Sequence, residues 1–399
     1  MSSPLHDVQP PVSTGGFEVG PGVRRAALGF AVAGLGTLAV GLALEPARAL
    51  SSLLTSGFYF LCLGLGGALF LALMYVANAG WFTVFKRIPE AFAAYVPWGA
   101  VPLLALLPFA PKLYLWARPG VMETDHLLHQ KAAFLNVPFF AVRMVLMLAL
   151  WTGFTWLLRR NSLRQDTERT EEGTRRNVVV SAVFLVLFGL TFCLAAFDWL
   201  MSLEPHWFST IYALYNVAGL LSSSVSAITV AAILLHRAGA LPQLNSSHLH
   251  DLGKLMFGFA TLWAYLWFSQ FLLIWYANIP EETVYFIARM HGGWATAFYC
   301  NLGLNWALPF LLLLPRPAKK DPGHLLRVAF LLLVGRWLDL HLMVAPANLP
   351  DGVGLGVYEL AGLLGVGALF TLAVTRAVRS SPMVPVGDPY LVESLHHHT

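Results

Sequence analysis

The sequence predicts an all-α integral membrane protein with ten transmembrane helices. Three observations predict it. Of 399 residues, 57% are hydrophobic and only 12% are charged, whereas a soluble domain carries about 25% charged residues. Long apolar runs recur, and about 20 residues at 1.5 Å each cross a bilayer core about 30 Å thick. Lys and Arg gather in alternate connecting segments, as they do in a chain threaded through a membrane.

Ten segments have the required length. Segment 26–44 follows Arg24 and Arg25, and segment 50–79 is free of charge. Segment 94–110 is short and contains Pro97, Pro102 and Pro108, so a bend is expected; membrane helices tolerate one where neighbours satisfy the freed carbonyls. Segment 132–158 holds Arg143, and 178–203 holds Asp198. Segment 210–237 follows the corner EPHWFST, where Ser209 and Thr210 are candidate helix caps. Segment 252–278 is rich in aromatic residues. His291 opens 289–314. Arg336, Asp339 and His341 lie in 325–347, and Glu359 in 355–378.

Orientation follows from the basic residues. Of the 25 Lys and Arg, 18 fall on the side of the N-terminus and 5 on the other, with Arg143 and Arg336 inside spans. Both termini are therefore expected in the cytoplasm. Residues 1–23 and 380–399 read as polar or Pro-rich tails, the second ending in a solvated histidine triplet. The connector 159–177 mixes acids and bases and reads as solvated, not as a nucleic-acid patch. Cys62, Cys193 and Cys300 sit in apolar runs with no CxxC or CxxCH, so the chain's own cysteines support neither an iron-sulfur cluster nor attached haem. Trp81, Trp98, Trp116, Trp199, Trp207 and Trp275 fall near predicted interfaces as an aromatic belt. Glycines 362, 365 and 367 read as helix-packing notches.

Ionisable groups within spans are costly and face a protein interior or a wet cavity. Arg143 and Arg336 are each about 17 Å along their predicted helices, near the midplane. Asp198 is about 8 Å from the end of its helix, where a bundle opens to the outer aqueous face; there it can be hydrated and relay a proton, or act as a structural hydrogen-bond acceptor for the EPHWFST corner. By helix rise Arg143 is about 10 Å deeper than Asp198, so direct pairing is expected to be stretched, with room for a bridging water. Arg336 and Asp339, three residues apart, share a helix face. The corners DWLMSLEP (198–205) and DLHLMVAP (339–346) each place an aspartate seven residues before a proline. The helix before each corner opens near a histidine, His129 or His291. This predicts a repeat: four-helix bundles 2–5 and 6–9, flanked by helices 1 and 10. No Walker A motif, facing haem histidines or metal-ligand spacing occurs.

The stretches FDWLMSLEPHWFSTIYALY (197–215) and LGKLMFGFATLWAYLWFSQFLLIWYANIPEET (252–283) resemble the smaller NrfD/polysulfide-reductase-like membrane subunit of alternative complex III, the ActF family. The resemblance covers essentially all ten spans. It implies a subunit of a bacterial inner-membrane quinol:electron-acceptor oxidoreductase, with two four-helix bundles plus flanking helices and no redox carrier of its own. Its implied partners are a larger homologous subunit, an iron-sulfur subunit, multihaem c-type cytochrome subunits, small membrane subunits and lipids, with no nucleic acid. Haem c and iron-sulfur clusters would belong to those partners, while quinol or menaquinol would be the ligand. Family quinol chemistry carried onto this chain falls on His129 (or His126) and Asp198; the aromatics offer, separately, Trp199 or Trp207 as a ring to stack on a quinone beside Asp198. The proton-path or quinol candidates are His129, Arg143, Asp198, His291, Arg336, Asp339 and His341. A stand-alone secondary transporter and a purely structural anchor are the competing expectations.

Overall fold

The computed structural model describes residues 16–350, 352 and 355–398. It contains ten helices long and apolar enough to cross a membrane: α1 (Pro21–Leu44), α2 (Pro46–Val76), α3 (Arg87–Leu113), α4 (Val137–Glu168), α5 (Glu172–Leu203), α6 (Ile211–Arg237), α7 (Ser246–Ala277), α8 (Gly292–Leu313), α9 (Pro322–Asn348) and α10 (Val357–Arg379). The described residues form no β-strand, only one isolated bridge between Gly16 and Pro382. The end where residues 16–25 and 380–398 lie is called the tail end. The loop end carries the short helices His126–Lys131 and Pro280–Met290.

Start signals in the sequence explain the boundaries. Pro21, Pro46, Pro138 and Pro322 occupy first turns, where the missing N–H costs nothing. Asn136, Asn245 and Asp321 accept first-turn amides of α4, α7 and α9, each satisfying donors that would otherwise be orphaned. Thr210 stands at the N-cap of α6 without a side-chain cap bond, contrary to expectation. The Asn136-Val137-Pro138 signal starts α4 five residues later than the expected 132. That helix then continues to Glu168, and the next begins at Glu172. The connector 159–177 is therefore a helical hairpin, turned at Arg169 with φ 50°. One face of it is covered: Ser162, Gln165 and Asn177 are buried. The proline-rich α3 is broken, as expected, into Arg87–Ala93, Val96–Leu104 and Ala110–Leu113.

Helices α2, α6 and α9 are the most enclosed, and they pack on one another. Helix α1 lies along α10, α4 along α5, and α7 between α6 and α8. Small residues set the closest crossings, as in membrane helices generally. A Cβ built on Gly34 would lie 2.6 Å from the Gly365 Cα. One on Gly362 would lie 2.6 Å from the Ser52 hydroxyl, and one on Gly367 2.7 Å from the Phe60 ring. The three glycines of α10 are the notches the sequence suggested.

The C-terminal segment is not a solvated tail. Met383, Val384 and Leu391 are buried, and so is Ser394. Asp388 accepts from Lys86 Nζ at 2.6 Å, and His397 meets Asp251 at 2.5 Å. Burial pulls the Lys86 ammonium down, but Asp388, Tyr75 and Glu90 together hold the group above its ordinary value. Apolar side chains at 383, 384 and 391 and one well-placed acid strap the segment across the tail end. The tail expected over 1–23 lies largely outside the described residues, and its last three residues begin α1.

Candidate functional site: two buried arginine–carboxylate centres

The first centre joins α4 to α5. Arg143 Nε donates to Asp198 Oδ2 at 2.6 Å and its Nη2 to Oδ1 at 3.1 Å, while Nη1 caps the Phe134 carbonyl at 3.0 Å. The depth mismatch expected from sequence vanishes because α4 starts at Val137. Six residues place Arg143 about 9 Å along the helix. Helical side chains also lean toward their N-terminus, here the loop end. Asp198 is one residue before regular helix ends at Trp199. The Phe134 and Phe139 rings lie 3.9 and 4.3 Å from the guanidinium carbon, shielding it. The Asp198 side chain is fully buried. Of the two readings of Asp198, a hydrated group at a bundle mouth and a structural acceptor, the geometry matches the second, with Arg143 rather than the EPHWFST corner as donor.

The second centre lies deeper and gathers four helices. Asp339 accepts from Arg336 one turn earlier on α9 and from the Tyr215 hydroxyl of α6. It also accepts from Trp263 Nε1 of α7 at 3.1 Å and Asn301 Nδ2 of α8 at 3.0 Å. A carboxylate offers about four lone-pair sites, so these donors saturate it. Arg336 Nη2 also donates to Asn216 Oδ1 at 2.8 Å, and its guanidinium lies against Gly219, where a Cβ would come within 2.4 Å of Cζ. Only a residue without a side chain leaves that room. Asn305 donates to Asn301 Oδ1 at 2.7 Å. Asn305 falls in a π-helical turn, Gly303–Ala307, and such turns occur frequently at functional sites.

The two corners that look alike in sequence differ in depth. Helix α9 runs nine residues past Asp339, with Pro346 inside it. Asp339 is therefore about 13 Å from the loop end of its helix, near the middle of a bilayer, while Asp198 is near an end. Between Asp339 and the loop end is a cavity of about 20 Å³ lined by Tyr215, Gln270, Tyr285, Arg289, Asn301 and Asp339, among others. Its wall is mixed, with Phe286, Phe298, Leu342 and Met343 beside the polar groups, and its size gives room for one water. Gln270 Nε2, on its wall, is buried without a hydrogen-bond partner. Beyond the cavity, Arg289 pairs with Glu204 at 2.6 Å and donates to the Leu342 and Tyr285 carbonyls at 2.8 Å. Burial pulls the Arg289 guanidinium down, but Glu204, Tyr285 and Tyr212 together hold it above its ordinary value.

No protein-family model matches the chain, and no curated protein matches it. Its residues must therefore be read on their own geometry. The histidines fall outside both centres. His129 is exposed, with Nδ1 3.2 Å from the Met122 carbonyl, and His291 is exposed, with Nδ1 3.1 Å from the Ile287 carbonyl. His126 is exposed as well. His341 is buried between Trp337 and Trp294, each ring 5.5 Å away, and neither of its nitrogens has a hydrogen-bond partner.

The tryptophans likewise depart from a belt. Trp116, Trp199 and Trp207 are buried. Trp199 packs on Phe58 and Trp151, and Trp207 stacks on Tyr285 at 4.0 Å. Both candidate stacking rings are thus occupied by the protein's own aromatics. Trp275, near the end of α7, is exposed as a belt residue should be.

Tyr215, Asn216, Trp263, Gln270, Asn301, Arg289 and Glu204 were not singled out from sequence. The available signal was amide residues in apolar runs, Asn216, Gln270, Asn301 and Asn305, since uncharged polar groups inside a bilayer also require partners. Among the described residues no group of three His, Cys, Asp or Glu is placed to hold a metal ion.

Proposed function

We propose that this chain is a non-redox-carrying membrane subunit of a quinol:electron-acceptor oxidoreductase of the alternative complex III kind. In this reading α2–α5 and α6–α9 form two four-helix bundles, both termini are cytoplasmic, and the membrane is a bacterial inner membrane. Partner subunits carry haem c and iron-sulfur clusters, and the chain exchanges protons through Asp339. The observation that carries the proposal is the buried Asp339 network with a one-water cavity on its loop-end side. A saturated carboxylate takes up a proton only when one donor leaves. Tyr215, whose hydroxyl turns about a single bond, is the donor that can leave toward the cavity. The Asp198 centre, covered by the Phe134 and Phe139 rings, serves as the clamp between α4 and α5.

The test uses the assembled complex purified through a tag on this chain. Haem staining and iron content report the partners, and a chain that purifies alone sinks the assignment. With partners present, Asp339→Asn is expected to lower quinol-driven proton release at least tenfold, a typical size for loss of a proton-transfer group. An unchanged rate in an assembled Asp339→Asn complex removes Asp339 from the mechanism.

A further inference from the structure

A groove on the lipid-facing side of α1, α3 and α10 has the form of a site for one anionic phospholipid. It encloses about 760 Å³ and is lined at the tail end by Arg24, Arg376 and Arg379. Below them the walls are apolar: Leu28 and Leu35 from α1, Leu369 and Leu372 from α10. Trp98 and Val101 of α3, 56% and 57% exposed, form its deep end.

Two independent features identify the occupant. The first is length. From Arg24 to Leu35 is eleven residues, about 16 Å of helix, and the α10 wall has a similar reach. This is about half of the 30 Å hydrocarbon core, the depth of a single leaflet. A membrane-crossing partner helix would need the full thickness, and the groove stops at Trp98 and Val101. The second feature is charge. Arg379 meets Glu18 at 3.0 Å, both exposed. Among the described residues neither Arg24 nor Arg376 has an acidic partner. Two unneutralised guanidinium groups above an acyl-length trough complement a phosphodiester with a net negative headgroup; planar forks suit phosphate oxygens, and basic pockets between membrane helices bind such lipids.

We propose that this groove holds an anionic phospholipid, its acyl chains along Leu28, Leu35, Leu369 and Leu372 and its phosphate on Arg24 and Arg376. The site needs only that the chain spans a bilayer, and it stands or falls apart from any redox role.

Native mass spectrometry of the full chain in detergent, titrated with phosphatidylglycerol or phosphatidylcholine of the same acyl composition, tests it. The expected result is tighter retention of phosphatidylglycerol. R24Q/R376Q should lose about fivefold in that preference per arginine, with an unchanged melting temperature. Ala373→Trp, which fills the trough and leaves the arginines intact, should weaken both lipids. If the double variant unfolds, the Ala373→Trp result decides. Equal retention of the two lipids by the native chain overturns the proposal. So does full preference in R24Q/R376Q, unchanged retention in Ala373→Trp, or capture of a polypeptide instead of lipid by a photocrosslinker at Leu28.

Discussion

Arg143 and Asp198 show how a single side chain sets a local balance. Removing one partner of a buried, hydrogen-bonded pair leaves a charge with neither water nor counter-ion, which costs about 3–5 kcal/mol; replacing both with apolar groups is often neutral. Arg143→Gln is therefore expected to lower stability by about that amount, and Arg143→Met with Asp198→Leu to recover most of it, read by thermal unfolding in detergent. Equal losses in the single and double variants would mean that the pair matters for more than charge balance. Asp125 offers a contrast at the surface. It accepts from Leu127 and Leu128 amides, and His206 lies 2.6 Å away. The His206 hydrogen bond, then the helix amides, hold its carboxyl below the usual range. A lowered carboxyl stabilises at pH above its unfolded value and loses that contribution as pH falls through its folded one. Hydrogen-exchange protection over 121–131, taken relative to the intrinsic amide rate at each pH, should thus fall below about pH 4, and Asp125→Asn should remove that acid dependence. This segment was read from sequence only for its histidines, although Asp125 anchors it.

At the scale of helices, the spans were legible because hydrophobic length is a property of each segment alone. All ten appear, and errors fall at their ends. Those ends depend on short signals, such as Asn136-Val137-Pro138, that a search for apolar runs passes over. The same five-residue shift at α4 hid the Arg143–Asp198 pair. The Asp339 network was legible only in part: Arg336 and Asp339 share one helix, but Tyr215, Trp263 and Asn301 arrive from three others, and no local pattern encodes that convergence. Close crossings lie between these cases. A Cβ on Gly66 of α2 would lie 1.6 Å from the Ser224 hydroxyl oxygen and 2.3 Å from its Cβ, so α6 must move or Ser224 must give way. Gly66→Ala is expected to cost about 1–3 kcal/mol as overpacking. Ser224→Gly in the same chain should restore most of it, a coupling read from the double-mutant cycle. Additive losses would place the strain elsewhere.

At the scale of the whole molecule, sidedness determines what the Asp339 cavity faces. With ten helices each crossing once, residues 16–25 and 380–398 are expected on one side, and that end carries the α4–α5 hairpin with Arg159, Arg160, Arg164, Arg169, Arg175 and Arg176. Basic residues are retained in the cytoplasm during insertion, so this end is expected to lie inside. The loop end would then be the side to which Asp339 is connected by its cavity, Arg289 and Glu204. Cysteine labelling checks the orientation directly. With Cys62, Cys193 and Cys300 replaced by alanine, Gln130→Cys should react with a membrane-impermeant maleimide in intact cells. Glu168→Cys, at the exposed tip of the hairpin, should react only after permeabilisation. The reverse pattern would do more than invert a drawing. It would turn the one-water cavity toward the cytoplasm, so that any proton passing through Asp339 would be drawn from inside the cell rather than released outside. Proton release by the Asp339→Asn complex would then have to be replaced by proton uptake as the quantity measured.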